Sequence, residues 1–336
     1  MLFRTEVDIR KSQFMLLLTK PIVLLGSCFA DNIGKKLEES KFNTLCNPFG
    51  VLYNPMSIAR LIQDAIDGKT YNEKSKEIFS DGTSFHSWMH HSSFSASSAK
   101  ELAERMNKAS RTINMALHNA GTIVITFGTS IIYELNSDGQ LVANCHKQPD
   151  RLFTRRLLSV EEITERWNNL LITLHRINPN LQVIFTVSPI RHKRDGFHAN
   201  QLSKAALLLA VEQITHNASR NLKAEYFPSY EIMMDELRDY RFYDDDMIHP
   251  SKTAVEYIWQ QFQNTFIDKH DLNIIKECRE IQNILAHRPS NPNSEAYLSL
   301  IQKTQNKINQ LKNRCPYISM DSELELCNTI LTKSHL

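Results

Sequence analysis

Apolar residues follow two alternating patterns along this chain. Short unbroken runs recur at residues 21–26 (PIVLLG), 121–127 (GTIVITF) and 181–187 (LQVIFTV). Runs this short and continuous are typical of strands covered on both faces, as in a parallel sheet. Residues 42–46 and 224–227 read as shorter strands. Residues 131–135 and 140–144 read as a pair joined through Asn136-Ser137-Asp138-Gly139, a hairpin-type turn. Between these runs the period lengthens. Residues 28–40 place Phe29, Ile33 and Leu37 four apart with lysines opposite, an amphipathic helix. Helical patterns also cover 56–66, 99–119, 160–177, 200–219 and 230–239, whereas 67–98 is irregular and polar. Strands alternating with helices predict an α/β fold with a doubly wound parallel sheet. Residues 271–286 and 294–311 are again helical, between Pro289, Pro292 and Pro316, and carry no chemical constellation. The chain therefore reads as an α/β domain over 1–268 and a helical C-terminal extension over 269–336, suited to packing, oligomerisation or lidding a site.

Composition narrows the class of function. With 336 residues, 42% of them hydrophobic and 23% charged, the chain can bury a large core. Lysine plus arginine total 39 against 37 acidic residues, a formal charge of +2 that calls for neither nucleic acid nor an anionic membrane as partner. The six cysteines form no CxxC pair and no zinc-ligand spacing, so they read as reduced thiols. Residues 14–18 and 22–25 followed by Cys28 imitate a lipoprotein leader. Against that, Glu6 and Asp8 put acid where a leader carries positive charge, Lys20-Pro21 interrupts the apolar run, and cleavage there would remove Ser27. No run approaches the roughly 18 to 20 apolar residues of a spanning helix. A cytoplasmic protein without a membrane partner is expected.

Candidate chemistry gathers where predicted strands end. Polar clusters at 27–28, 47–50, 128–130, 144–148 and 188–192 each follow a strand, and ligands of open α/β sheets bind at that carboxyl edge. Ser27, at a strand-to-helix turn, reads as an N-cap or as a nucleophile. His249 has Asp246 three residues before it at the start of a late helix. A serine, a histidine to take its proton and a carboxylate to orient the histidine are the parts of a Ser/His/Asp hydrolase. Asn47-Pro48-Phe49-Gly50 and the following residues to Pro55 form a loop with proline near both ends, in which Gly50 permits close backbone approach. His86 and His90 are spaced i, i+4, but the acidic partner of an HExxH site is absent, so no metal is expected.

Gly26-Ser27-Cys28-Phe29-Ala30, the NPFGVLYNP loop, Gly128-Thr129, Asn144-Cys145-His146-Lys147, Ser188-Pro189-Ile190-Arg191-His192 and the run from Tyr240 to Pro250 together resemble the GSCFA family, a branch of the SGNH/GDSL-like hydrolases, over about residues 1–265. The resemblance implies a flavodoxin-like three-layer sandwich around a parallel sheet and an esterase mechanism without a cofactor. It implies Ser27 as nucleophile, Asp246 and His249 as acid and base, and the backbone N–H groups of Ser27 and Gly50 as oxyanion donors. Gly128-Thr129-Ser130-Ile131 stands where the class carries Gly-x-Asn-Asp, so a side-chain donor is missing, and Asn144, then Thr129, are candidates to replace it. His146 and His192, with Gly128, are candidate substrate contacts, although each histidine taken alone reads more readily as a hydrogen-bonded structural residue. Cys28, on the first turn of a packed helix, is expected to be buried and inert. The expected activity is a serine esterase that removes an acyl or acetyl group from a carbohydrate or small metabolite. The rival is a catalytically weak ligand-binding protein that keeps the fold.

Overall fold

A computed structural model of the chain describes residues 4–218 and 223–333. The last residue of the helix predicted to end at 219, and the outermost residues of both predicted domains (1–3 and 334–336), lie outside them. In chain order the elements are β1 (Ile22–Gly26), α1 (Cys28–Glu39), β2 (Thr44–Cys46), α2 (Pro55–Ile66), β3 (Ile78–Ser80), β4 (Phe85–Ser87), β5 (Ser95–Ala96), α3 (Ala99–Asn119), β6 (Thr122–Phe127), β7 (Ile131–Leu135), β8 (Leu141–Val142), β9 (Phe153–Leu157), α4 (Val160–Ile177), β10 (Gln182–Val187), α5 (Phe197–Ala218), β11 (Lys223–Phe227), the single turn α6 (Ser229–Glu231), α7 (Lys252–Phe266), α8 (Lys269–Ala286), α9 (Glu295–Arg314) and α10 (Asp321–Lys333).

The central sheet is parallel, with strand order β11-β10-β6-β1-β2. This is the flavodoxin-like order, and its chain direction switches between β1 and β6, the place where such sheets hold ligands. All residues of β1 and β6 are buried. Alternate side chains serve two cores. Ile22, Leu24, Val124, Ile184 and Phe227 face α1 and α7, whereas Val23, Leu25, Ile123, Ile125, Phe127, Val183 and Phe185 face the layer built from α2, α3, α4 and α5. The result is the three-layer α/β sandwich that the strand and helix pattern predicts.

Several elements differ from the sequence pattern. Two small antiparallel sheets, β3-β4-β5 and β8-β7-β9, flank the carboxyl edge. β7 and β8 are the hairpin read at 131–135 and 140–144, whereas β3, β4, β5 and β9, of two to five residues, alternate too briefly to register as periodicity. The segment 230–239, predicted as a helix, holds only the turn Ser229–Glu231 running into a wider π turn, Ile232–Glu236. α10 carries a weak apolar pattern and is formed by packing on α8 and α9.

The C-terminal helices lie on the α1 and α7 side of the sheet. Ile274, Ile275, Cys278, Ile281, Ile301, Ile308 and Cys327 belong to the same buried cluster as Phe29, Trp259 and Phe262. A shielded ion pair, Lys41 to Glu323 at 2.5 Å, ties α10 to the turn after α1. Removal of residues 269–336 should therefore leave an α/β unit that still unfolds cooperatively but melts about 10 °C lower or more, because uncovering that apolar surface costs several kcal/mol. Calorimetry of the truncated chain checks this, and an unchanged melting temperature would contradict it.

Candidate active site

β1 ends at a position where only glycine fits. Gly26 has φ +140°, and a Cβ there would lie 2.1 Å from the carbonyl oxygen of Thr126 on β6. The neighbouring loop is laced to this point: Asn47 Oδ1 accepts from Gly26 N at 2.9 Å, and Leu52 N donates to Gly26 O at 2.9 Å. The amide of Ser27 still donates across the sheet, to Thr126 O at 3.1 Å. Its hydroxyl caps α1, accepting from Phe29 N at 3.3 Å, and the residue is 1% exposed. Cys28 is the first helical residue and lines a cleft of 370 Å³ that Ser27 does not reach.

The base arrives from the loop before α7. Asp246 Oδ1 accepts the amides of Ile248 at 2.8 Å and His249 at 2.9 Å, and its Oδ2 accepts from His249 Nδ1 at 2.5 Å. These bonds, led by the His249 amide, hold the Asp246 carboxyl at about 2, so it is ionised throughout the neutral range. With Nδ1 committed to Asp246, His249 turns Nε2 toward the cleft, 3.9 Å from Cys28 Sγ. Cys28 Sγ, the His249 ring and the Asp246 carboxylate thus stand in a row at the cleft.

Of the two readings of Ser27, the cap is the one its hydroxyl is seen to fill, accepting from Phe29 N. Cys28, expected to be buried, is half-buried: it packs against the α1 and α7 cluster and also lines the cleft. The thiol sits among opposing influences. Burial pushes it above its ordinary range and the Asp31 carboxylate adds to that, while the amides of Cys28 and Phe29 at the helix start, and the Lys204 ammonium, favour the thiolate. The resting form at neutral pH is the protonated thiol.

The other expected site residues divide. Gly50 adopts φ +74° and donates its amide to Asn47 O at 2.7 Å. A Cβ there would meet His91 Cβ at 2.3 Å, so this glycine serves loop packing and its N–H is taken. Asn144 closes a turn, Oδ1 accepting from His146 N at 2.8 Å, and does not line the cleft. His146 donates Nε2–H to Ser87 O at 2.8 Å and packs against Phe79, His86 and Trp88. His86 and His90 stand on a strand and a turn and not on one helix face; His86 pairs with Asp81, and His90 is buried against Ser87 Oγ at 2.8 Å. Thr129 and His192 do line the cleft. Thr129 Oγ1 lies 3.0 Å from Ser203 Oγ, and burial with the Lys204 charge pushes His192 down to about 4, keeping it neutral. Gly128 supports them, donating its amide to Tyr53 O at 2.7 Å.

Arg191 and Lys204 escaped the sequence reading. Arg191 donates to Met247 O, and its guanidinium lies 4.3 Å over Tyr243 and 5.2 Å over Phe197. It clamps the turn that carries His249, in which Met247 holds φ +58°. Lys204 is 1% exposed and donates to Gly128 O and Ser188 O, both at 2.7 Å. The missed signal is a lysine on the helix face of Leu207 and Val211 at i, i+3, i+7.

Comparison with known proteins agrees with the motif set. The GSCFA family matches residues 21–262, and the family described as "GSCFA domain protein, C-terminal domain" matches residues 278–333. The chain belongs to the GSCFA family. Among curated proteins none matches. Among solved structures, an acetyl xylan esterase, Est2A, from the rumen bacterium Butyrivibrio proteoclasticus aligns at 10% identity with a TM-score of 0.35, over 74% of this chain and 64% of that one. This GSCFA chain therefore spans less than two thirds of that esterase's length.

Two substitutions test this geometry. Ser27→Ala should cost about 1 kcal/mol of stability, the usual loss of a helix cap, and leave the Cys28 thiol as reactive as before. Arg191→Met should leave the fold cooperative but cost about 1 kcal/mol or more and loosen the turn that carries His249, because the guanidinium bond to Met247 O and its stacking on Tyr243 are lost; if turnover is found, it should fall with it. Urea unfolding and steady-state kinetics read the two effects.

Proposed function

We propose that this GSCFA protein is a thiol-dependent acyl hydrolase acting on oxygen esters, with Cys28 as nucleophile, His249 as general base and Asp246 as its orienting carboxylate. The observation that carries the reading is the 3.9 Å approach of His249 Nε2 to Cys28 Sγ inside the cleft, with Asp246 on the far side of the ring. A protonated thiol beside an imidazole is activated at the moment of attack and not beforehand.

In the reaction, Cys28 Sγ bonds to the ester carbonyl carbon as its proton passes to His249 Nε2. The oxyanion of the tetrahedral intermediate has two donors in reach of the cleft: the Cys28 N–H, which heads α1 and has no intrahelical acceptor, and the Thr129 hydroxyl. Collapse breaks the carbon–oxygen bond, His249 returns the proton to the departing alkoxide, and a thioester remains on Cys28. Water then attacks that carbonyl with His249 again as base, releasing the carboxylic acid and regenerating the thiol. Asp246 stays ionised and stabilises the imidazolium in both halves.

Substrate preference follows from the walls. Ile131, Val142, Ala143, Ile190 and Ile248 surround the space beside Cys28 and suit a small apolar acyl or acetyl group. Lys193, Arg194 and Asp195 at one side suit a polar acceptor such as a carbohydrate or small hydroxylated metabolite.

Kinetics on short-chain esters and acetylated sugars test the assignment. Cys28→Ala and His249→Ala should each lower turnover by about 1000-fold or more, and the double variant should be little worse, because both act in one step. Ser27→Ala should stay within about tenfold of the native rate. Thr129→Val should cost about 100-fold in turnover with little change in KM, and Asn144→Ala should act on stability alone. Full activity in Cys28→Ala would place the nucleophile elsewhere, and a native protein inactive on every ester would leave the cleft a ligand-binding site. Abolition by Ser27→Ala alone would restore the serine mechanism.

A further inference from the structure

The Cys28 cleft adjoins a second chamber of 370 Å³, lined by Tyr133, Asp150, Phe153, Arg155, Arg194 and Asp195. Tyr133, Arg194 and Asp195 line both spaces and mark the boundary between them. One wall is the small sheet. Tyr133 on β7 stands opposite Arg155 on β9 in the ladder, and Phe153, two residues from Arg155, shares its face. The rest comes from the turn Lys193–Asp195 after β10 and from Asp150, just before β9. Two ion pairs join these parts: Arg155 to Asp195 at 2.7 Å, and Arg194 to Asp150 at 3.3 Å. The Asp195 side chain is 12% exposed, which shelters the first pair, whereas both members of the second stand open to solvent.

The balance of charge decides what such a chamber can hold. Besides the Tyr133 hydroxyl, its polar side chains are two guanidiniums and two carboxylates, which sum to zero, and the neighbouring Lys193 lines only the cleft. An anionic ligand meets both carboxylates and a cationic one both guanidiniums, so neither sign of charge is favoured. A hydroxyl both donates and accepts, and can satisfy either partner. Each guanidinium has more N–H donors, and each carboxylate more acceptor sites, than one ion pair consumes. Tyr133 and Phe153 add apolar surface, with ring centroids 6.3 Å apart and planes nearly perpendicular. Phe153 is 9% exposed and packs on Trp88, so it forms the floor, and Tyr133 is the ring at the boundary. Paired charges beside an aromatic ring fit a neutral sugar, whose edge carries hydroxyls and whose faces carry C–H groups.

We infer that this chamber is an acceptor subsite for a neutral sugar unit next to the one that carries the ester, so that the substrate is an acylated oligosaccharide and not a small metabolite. The inference rests on the acyl-hydrolase reading of the Cys28 cleft and fixes its acceptor. With the acyl group beside Cys28, the esterified unit lies against Arg194 and Asp195, and its neighbour passes Tyr133 to reach the Arg155 to Asp195 pair. Each of the two spaces falls within the range of small-molecule sites, about 300 to 1000 Å³. Arg155 and Asp195 then select acceptor length and take no part in bond making or breaking.

The test compares acceptors of different length on the full-length protein. Mono-acetylated cellobiose should exceed mono-acetylated glucose in kcat/KM by about tenfold or more, the effect of one or two added charge-assisted hydrogen bonds, with the gain mainly in KM. Arg155→Met removes the guanidinium fork and should bring that ratio down to about one. Equal kcat/KM for the two sugars in the native protein, or an unchanged ratio in folded Arg155→Met, would overturn the inference and leave the acyl-hydrolase reading in place. A second measurement needs neither turnover nor the Arg155 variant. In calorimetric titration of Cys28→Ala, cellobiose should bind about tenfold more tightly than glucose, and digalacturonic acid no more tightly than glucose, because its carboxylates meet Asp150 and Asp195. Equal affinities for cellobiose and glucose, or tighter binding of the diacid, would overturn the assignment to a neutral sugar. Binding of cellobiose by a protein that hydrolyses no acetyl ester would sink the hydrolase reading and leave the subsite standing.

Discussion

The contact between Gly26 and Thr126 sets the geometry of everything at the carboxyl edge. Because no side chain stands on Gly26, β1 and β6 stay in contact to the last residue of β1, and the ladder continues one step further through Ser27 N to Thr126 O. That extra step decides which residue begins α1. Ser27 is spent on capping, and Cys28 is the first side chain free to face the gap between the diverging strands. A single residue of register separates a buried hydroxyl from a cleft-lining thiol, just as a one-residue slip in a strand exchanges its two faces.

Much of the scaffold was legible in the sequence, for a physical reason. The runs at 21–26, 121–127 and 181–187 are continuous because both faces of those strands are covered, and the helical periods between them mark single buried faces. The Asp246 to His249 pairing was legible too, since its spacing closes within one turn. The side chain that faces His249 was not. Helical periodicity placed Cys28 next to Phe29 and Ala30, both buried, and says nothing about the first residue of a helix, whose side chain leaves the packed stripe. Asn144 misled in a similar way: it follows a strand in the sequence, but β8 stops at Val142 and the asparagine turns back on His146. Of the small flanking sheets only the β7–β8 hairpin was legible, from its turn; β3, β4, β5 and β9 escaped detection because tertiary packing, not period, defines strands so short.

Buried polar groups at the site are connected to one another. Lys204 joins the loops after β6 and β10, Tyr53 O accepts the amides of both Gly128 and Thr129, and Arg191 carries the loop after β10 across to Met247. A network of this kind costs stability if any member is lost, and in exchange it fixes the relative positions of groups drawn from distant parts of the chain. Among the described residues, none of those lining the cleft comes from beyond His249, and α8 to α10 pack on the α1 and α7 layer.

The central claim is that the acyl group passes through sulfur. The most direct measurement is to quench the full-length protein in acid during turnover of an activated acetyl ester and locate the added mass by tandem mass spectrometry. The account predicts an acetyl group on Cys28 that neutral hydroxylamine removes, as it removes thioesters. A hydroxylamine-stable acetyl group on Ser27 would contradict it.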